Sequence, residues 1–141
     1  MCAEKAVKIP RGIRNGNPGN IRISKSAWQG KIPVAQNTDG SFEQFETIEY
    51  GLRALMKLIV NYMRVYKFST IRQVINRWAP PNENDTGAYV NAVAKRVGLS
   101  ADEKLVPDKA TVSKICEAIC CHENGGFYVT MEQIDKAWRL L

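Results

Sequence analysis

Between Thr47 and Tyr66 the apolar side chains fall at Leu52, Leu55, Met56, Ile59, Met63 and Tyr66. This i, i+3, i+4 spacing predicts a helix of about five turns with one buried face and Thr47 as its N-cap. The same period returns further along the chain. A shorter helix after Ser69 puts Ile71, Val74, Ile75 and Trp78 on one side and stops at Pro80-Pro81. A third, capped by Asp85 or Thr86, turns Tyr89, Val93 and Val97 inward and ends at Gly98. A fourth starts near Asp108 and runs through Val112, Ile115, Cys116 and Ile119 to Gly125-Gly126. The last begins at Thr130, which has the capping-box spacing to Gln133, and buries Ile134, Ala137, Trp138 and Leu141.

Ahead of Thr47 the helical period is absent. Gly12, Gly16, Gly19, Gly30 and Gly40 alternate with Pro10, Pro18 and Pro33, and the run Asn15–Asn20 is dense in turn formers. Ile21-Arg22-Ile23 and Phe42–Phe45 alternate in polarity and are expected to pair as short strands. The expected fold is mainly α: about five helices with an irregular N-terminal lobe carrying a short β-hairpin. A flexible tail over residues 1–10 precedes a single domain over 11–141.

Composition fits this picture. The chain has 141 residues, 45% hydrophobic and 24% charged, which is globular and long enough for a core. No apolar run approaches the ~20 residues of a membrane span, so membrane insertion is not expected. No apolar h-region of a signal peptide follows the first Met either. The net charge is +6, and residues 1–40, with seven bases and two acids, carry +5 of it. A basic arm points to a polyanion: nucleic acid, an anionic membrane surface or a cell-wall polymer. Nucleic acid is disfavoured, because the bases do not gather on one recognition helix and do not alternate with stacking aromatics.

Cys2, Cys116, Cys120 and Cys121 lack the spacing of a disulfide framework. Cys116 and Cys120, one helical turn apart, are poorly placed for a bridge. With His122 they make an incomplete metal set, so free thiols are expected, with no metal and no cofactor.

Three groups of residues offer chemistry. Glu123 follows Val112, Ile115 and Ile119 at helical spacing, so it carries the apolar stripe into the last turn before Gly125-Gly126. Apolar surroundings and the negative end of a helix both favour a protonated carboxyl, the state a general acid needs to break a glycosidic bond. A plain helix end is the competing role. The second group is Trp78-Ala79-Pro80-Pro81 and the polar run Asn82–Thr86, where Glu83 and Asp85 stand on a stiffened loop close to Tyr89. Such loops hold sugar hydroxyls and amides, and an N-cap accounts equally for Asp85 or Thr86. The third is the Asn15–Asn20 turn with Trp28-Gln29-Gly30, whose amides can face a polar ligand, and a tight surface turn accounts for it equally.

These segments together resemble a known family. Arg11–Arg22 is similar to the RGIRNNNPGNIR opening of phage and prophage virion-associated proteins, known mostly as structural proteins. The likeness continues through Trp28-Gln29-Gly30, Phe45-Glu46-Thr47, Tyr50–Leu55, Thr70-Ile71, Arg77–Thr86 with Tyr89, and His122–Gly125 to the terminal helix. Gly16 stands where the family usually has Asn, and Cys120-Cys121 before His122 is a further departure. Ile119–Gly126 also resembles the end of the catalytic helix of lysozyme-like transglycosylases. There the Asn-rich turn and hairpin lobe follow the glutamate, whereas here they precede it, as in a circular permutation.

The resemblance implies a lysozyme-like enzyme cleaving the β-1,4 glycan of peptidoglycan, as a lysozyme or a lytic transglycosylase. Glu123 would be its acid and Glu83 its second carboxylate. Asn17, Asn20, Trp28, Trp78, Asp85, Thr86 and Tyr89 would bind substrate. The implied partners are peptidoglycan strands and other virion or secretion-apparatus proteins. The protein would be made in the bacterial cytoplasm and act in the periplasm or cell wall, or as part of a virion. A non-catalytic wall-binding or structural module on the same fold is the competing reading, because a fold does not guarantee chemistry.

Overall fold

The computed structural model describes residues 8–141. Residues 1–7, with Cys2 and most of the expected tail, lie outside it. The protein is mainly helical: α1 (Arg11–Arg14), α2 (Ile48–Arg64), α3 (Ile71–Trp78), α4 (Thr86–Val97), α5 (Lys109–Asn124) and α6 (Met131–Arg139). The five longer helices are those the apolar period predicts. Each starts on a side chain that accepts from the backbone of its first turn: Thr47, Thr70, Asp85, Asp108 and Thr130. Thr130 and Gln133 close a reciprocal capping box. Gly98 and Gly125 end α4 and α5 in the left-handed conformation.

The long helices α2 and α5 form the centre. α2 packs on α3, α5 and α6, and α5 packs on α1, α2, α4 and α6. Leu52, Leu55, Met56 and Ile59 of α2 meet Val112, Ile115, Cys116 and Ile119 of α5 in a core without solvent exposure. Two expected core residues lie elsewhere. Tyr66 is 47% exposed because α2 ends at Arg64, and Leu141 is exposed because α6 ends at Arg139. None of the described helices is long and apolar enough to cross a membrane.

The N-terminal lobe departs from expectation in two ways. Arg11–Arg14 forms one helical turn, too short to show a period. The paired runs meet through isolated antiparallel bridges, Arg22 to Phe42 and Lys31 to Phe45, and no strand forms among the described residues. Polar side chains tie the lobe together. The fully buried Asn17 amide donates to the carbonyls of Ile21 (2.9 Å) and Glu43 (3.0 Å) and accepts from the Ile21 N–H (2.9 Å). The lobe docks on α2 where Gly51 faces the Gly16 carbonyl so closely that any Cβ would strike it.

Candidate functional site

Glu123 lies in the last turn of α5, half-buried, at the seam between the helical body and the lobe. Both carboxyl oxygens are engaged. Oε1 accepts from Asn20 Nδ2 at 2.9 Å, and Oε2 accepts from the Tyr89 hydroxyl at 2.7 Å. The Tyr89 oxygen in turn accepts from Trp78 Nε1 at 3.0 Å. One turn residue and the ends or faces of α3, α4 and α5 thus converge on one carboxyl, fixing its plane while each oxygen keeps acceptor capacity.

Local sequence explains these placements. Asn20 sits in the left-handed region at φ 53°, which Asn tolerates better than most residues. Its N–H closes the turn on the Asn17 carbonyl at 2.9 Å. Behind it, Asn124 donates to the Pro18 and Cys120 carbonyls at 2.8 and 2.7 Å, joining the turn to α5. Burial pushes the Tyr89 hydroxyl far above its usual titration range, and the Glu123 carboxylate adds to this. Tyr89 therefore stays a donor across the biological pH range.

Two hollows flank Glu123, each of about 340 Å³. The first is a cleft walled by Asn20, Arg22, Phe42, Tyr62 and Trp78, with Glu83 and Asn84 on its rim. Glu83 is exposed and lies 3.5 Å from an Arg22 guanidinium nitrogen. The second lies between Asp85, Ala88, Tyr89 and His122. The His122 ring packs against Tyr89, tilted by 32°, with ring centroids 3.8 Å apart.

The structure therefore brings Glu123, Asn20, Trp78, Tyr89, Glu83 and Asp85 to connected hollows. It places three expected site residues otherwise. Asn17 does not reach the cleft, because its amide is spent inside the lobe. Thr86 is buried, and its hydroxyl donates to the Ala79 carbonyl at 2.6 Å, pinning the Pro80-Pro81 loop. Trp28 packs partly against the core and borders a separate shallow hollow with Lys31 and Pro33. Asp85 also caps α4 through the Ala88 N–H.

Arg22, Tyr62, Asn84 and Phe42 line the cleft without having been singled out by the sequence. Arg22 is two residues past Asn20, and that alternation was its available signal. The three described cysteines are free and buried. Among the described residues no group of three His, Cys, Asp or Glu side chains is arranged to hold a metal.

A mainly helical protein with a seam-held carboxyl defines the class by structure, and comparison adds a lineage: this chain belongs to a phage protein family. The relative that shows it is Protein P5 of Pseudoalteromonas phage PM2, 34% identical over 131 residues, covering 91% of this chain and 79% of P5. No family model matches the chain.

Proposed function

We propose that this protein cleaves the β-1,4 glycan backbone of peptidoglycan, with Glu123 as general acid, as a virion-associated protein of a phage or prophage. On this reading the helical body and the N-terminal lobe are the two walls of a lysozyme-like domain, in permuted order. The observation that carries the proposal is the doubly held Glu123 carboxyl between two open hollows. A helix-end glutamate with only a structural role does not need a buried tyrosine and a left-handed asparagine aimed at its two oxygens.

The glycan would lie along the seam with the scissile oxygen at Glu123. Glu123 gives its proton to that oxygen, the C1–O bond breaks with its electron pair going to the leaving sugar, and positive charge develops at C1. Asn20 and Tyr89 hold the carboxyl in place and stabilise the carboxylate that results. Two nucleophiles could then reach C1. One is water, whose proton passes to Glu83 as its oxygen bonds to C1, which leaves a reducing end. The other is the sugar's own C6 hydroxyl, whose proton returns to Glu123 and leaves an anhydro end. Mass spectrometry of the fragments separates these.

The test is turbidity loss of permeabilised Gram-negative cells, or solubilisation of purified sacculi, by wild type and Glu123→Gln. Circular dichroism first establishes that the variant is folded. Expected is cleavage by wild type and a loss of about a hundredfold or more in the variant. Equal cleavage by both moves the acid elsewhere, with Glu83 next in line. No cleavage by either, across wall chemistries, leaves the non-catalytic binding module.

A further inference from the structure

His122 borders the second hollow beside Glu123 and also a larger one, of about 680 Å³, further along the same pair of helices, α4 and α5. The chemistry changes there. Lys95 and Arg96 project from the last turn of α4, Gly125 and Gly126 form the opposite wall, and Phe127 closes one side. Phe127 is 68% exposed, and the Arg96 guanidinium lies over its ring at 4.5 Å from the centroid. Neither Lys95 nor Arg96 is in an ion pair among the described residues, and no carboxylate borders this hollow. Cations at a helix C-terminus offset the dipole. That role alone does not require two of them on the wall of a cavity, one seated over an exposed aromatic.

We infer that this hollow is a subsite for a carboxylate-bearing branch of the glycan strand, extending the seam past Glu123. This rests on the function proposed above for the site it adjoins. A strand seated at Glu123 carries its side branches outward, and the neighbouring hollow across His122 presents two unpaired cations. Arg96, seated over Phe127, brings the planar guanidinium fork that matches a carboxylate, and Lys95 adds a second charge. Phe127 supplies an apolar surface for the rest of the branch. Two kinds of carboxylate occur along such strands: the acids of an attached peptide, and the lactyl group of a sugar that carries no peptide. The hollow suits either.

The test measures binding alone. Glu123→Gln protein is sedimented with intact sacculi, with amidase-stripped glycan that keeps only the lactyl carboxylate, and with chitin, a β-1,4 glycan without carboxylates. Adding Lys95→Gln and Arg96→Gln is expected to weaken retention on sacculi about tenfold. Its effect on chitin should be much smaller. A control with Lys57→Gln and Arg64→Gln, two exposed cations of α2, removes the same charge and should leave retention on sacculi near its starting level. Loss confined to sacculi identifies the peptide acids, and loss on stripped glycan as well shows that the hollow also takes the lactyl carboxylate freed by the amidase. Undiminished retention on sacculi, an equal loss on chitin, an equal loss in the control, or no retention of Glu123→Gln on sacculi would overturn the inference. If the cation-dependent retention appears but wild type cleaves nothing, the subsite stands and the enzymatic proposal falls.

Discussion

In the helical body the side chains without exposure include Leu52, Leu55, Met56, Ile59, Ile115, Ile119 and Ile134. In the N-terminal lobe the most deeply buried are polar: Asn17 and Glu43 have no exposure, against 7% for Ile21 and 5% for Phe45. The body is thus held by hydrocarbon packed on hydrocarbon, which is strong in aggregate and indifferent to direction. The lobe is held by directed contacts, where one lost partner leaves a buried polar group unmade. Glu123 lies where the two meet. Its position along α5 comes from the body, and the orientation of its carboxyl comes partly from the lobe through Asn20.

The comparison is broken most forcefully at Glu43. Its buried carboxylate faces Lys31 Nζ at 2.9 Å, and that ammonium also donates to the Ser24 and Ser26 carbonyls. Lys31→Met strands the charge and is expected to cost about 3–5 kcal/mol. Ile119→Ala opens a cavity in the body and should cost a similar 2–5 kcal/mol or so. Equal losses should differ in where the molecule loosens. Hydrogen exchange in Lys31→Met should rise first at the lobe amides of Ile32, Glu43 and Phe45, which bond across the lobe. In Ile119→Ala it should rise throughout the body. Identical exchange patterns in the two variants would mean that lobe and body unfold as one unit.

The same division governs what was legible in the sequence. Five helices could be read because packing on a core imposes a period, and Thr47 and Thr130 stand as caps at two of its starts, while Thr70, the cap of α3, was not singled out. Glu123 could be read because it occupies an apolar-stripe position with a polar side chain. Tyr89 and Trp78 could be read as belonging near it, while the hydrogen bonds linking them to it could not. The lobe was legible only as a set of turns. Nothing periodic separates Asn17, whose amide is consumed inside, from Asn20, whose amide faces the site. Three residues and one left-handed φ decide it. Trp28 misled for a similar reason, since an aromatic beside a Gly reads equally as a cleft wall and as packing.

An intermediate effect is expected where the lobe sets the geometry of the site. A Cβ on Gly12 would lie 2.7 Å from both Asn20 Oδ1 and Asn124 Oδ1, and 2.9 Å from the Asn17 carbonyl oxygen. Asn124 is locked by its two donated bonds and Asn17 by the backbone, so the Asn20 amide is the part that gives way. Gly12→Ala should therefore cost about 1–3 kcal/mol and pull Nδ2 off Glu123. Cleavage, measured on sacculi well below the unfolding temperature, should fall severalfold. Gly87→Ala is the counterpart in the body. A Cβ there meets nothing nearer than Asp85 Oδ1 at 3.9 Å, so a gain of about 0.4–1 kcal/mol with unchanged cleavage is expected. If Gly12→Ala lost stability but kept full activity, the lobe would not be orienting the acid through Asn20.

The smallest effect is a pH dependence confined to the lobe. Asp39 accepts from Arg11 Nε and Nη2 at 2.7 Å each, from Asn15 Nδ2 at 3.1 Å, and from the N–H groups of Phe42 and Ser41. The Arg11 guanidinium, and next the backbone donors, hold this carboxyl well below the usual carboxylate range, against the opposing effect of its burial. A carboxyl whose pKa is lowered on folding stabilises the fold when ionised. Its contribution is complete above its unfolded value, about 4, and is lost as pH falls below that toward the folded value. Urea midpoints of wild type and Asp39→Asn should therefore differ by a small constant amount from pH 7 to about 5, begin to draw together below about pH 4, and continue to do so as the pH falls further. Asp102 and Asp108, also lowered, are common to both proteins and cancel in the difference. Since Arg11 is largely exposed, added salt should shrink the gap at pH 7. A gap that did not narrow at all between pH 5 and the lowest pH at which both proteins stay folded would show that Asp39 supports the lobe through its shape and backbone contacts, with its charge contributing nothing.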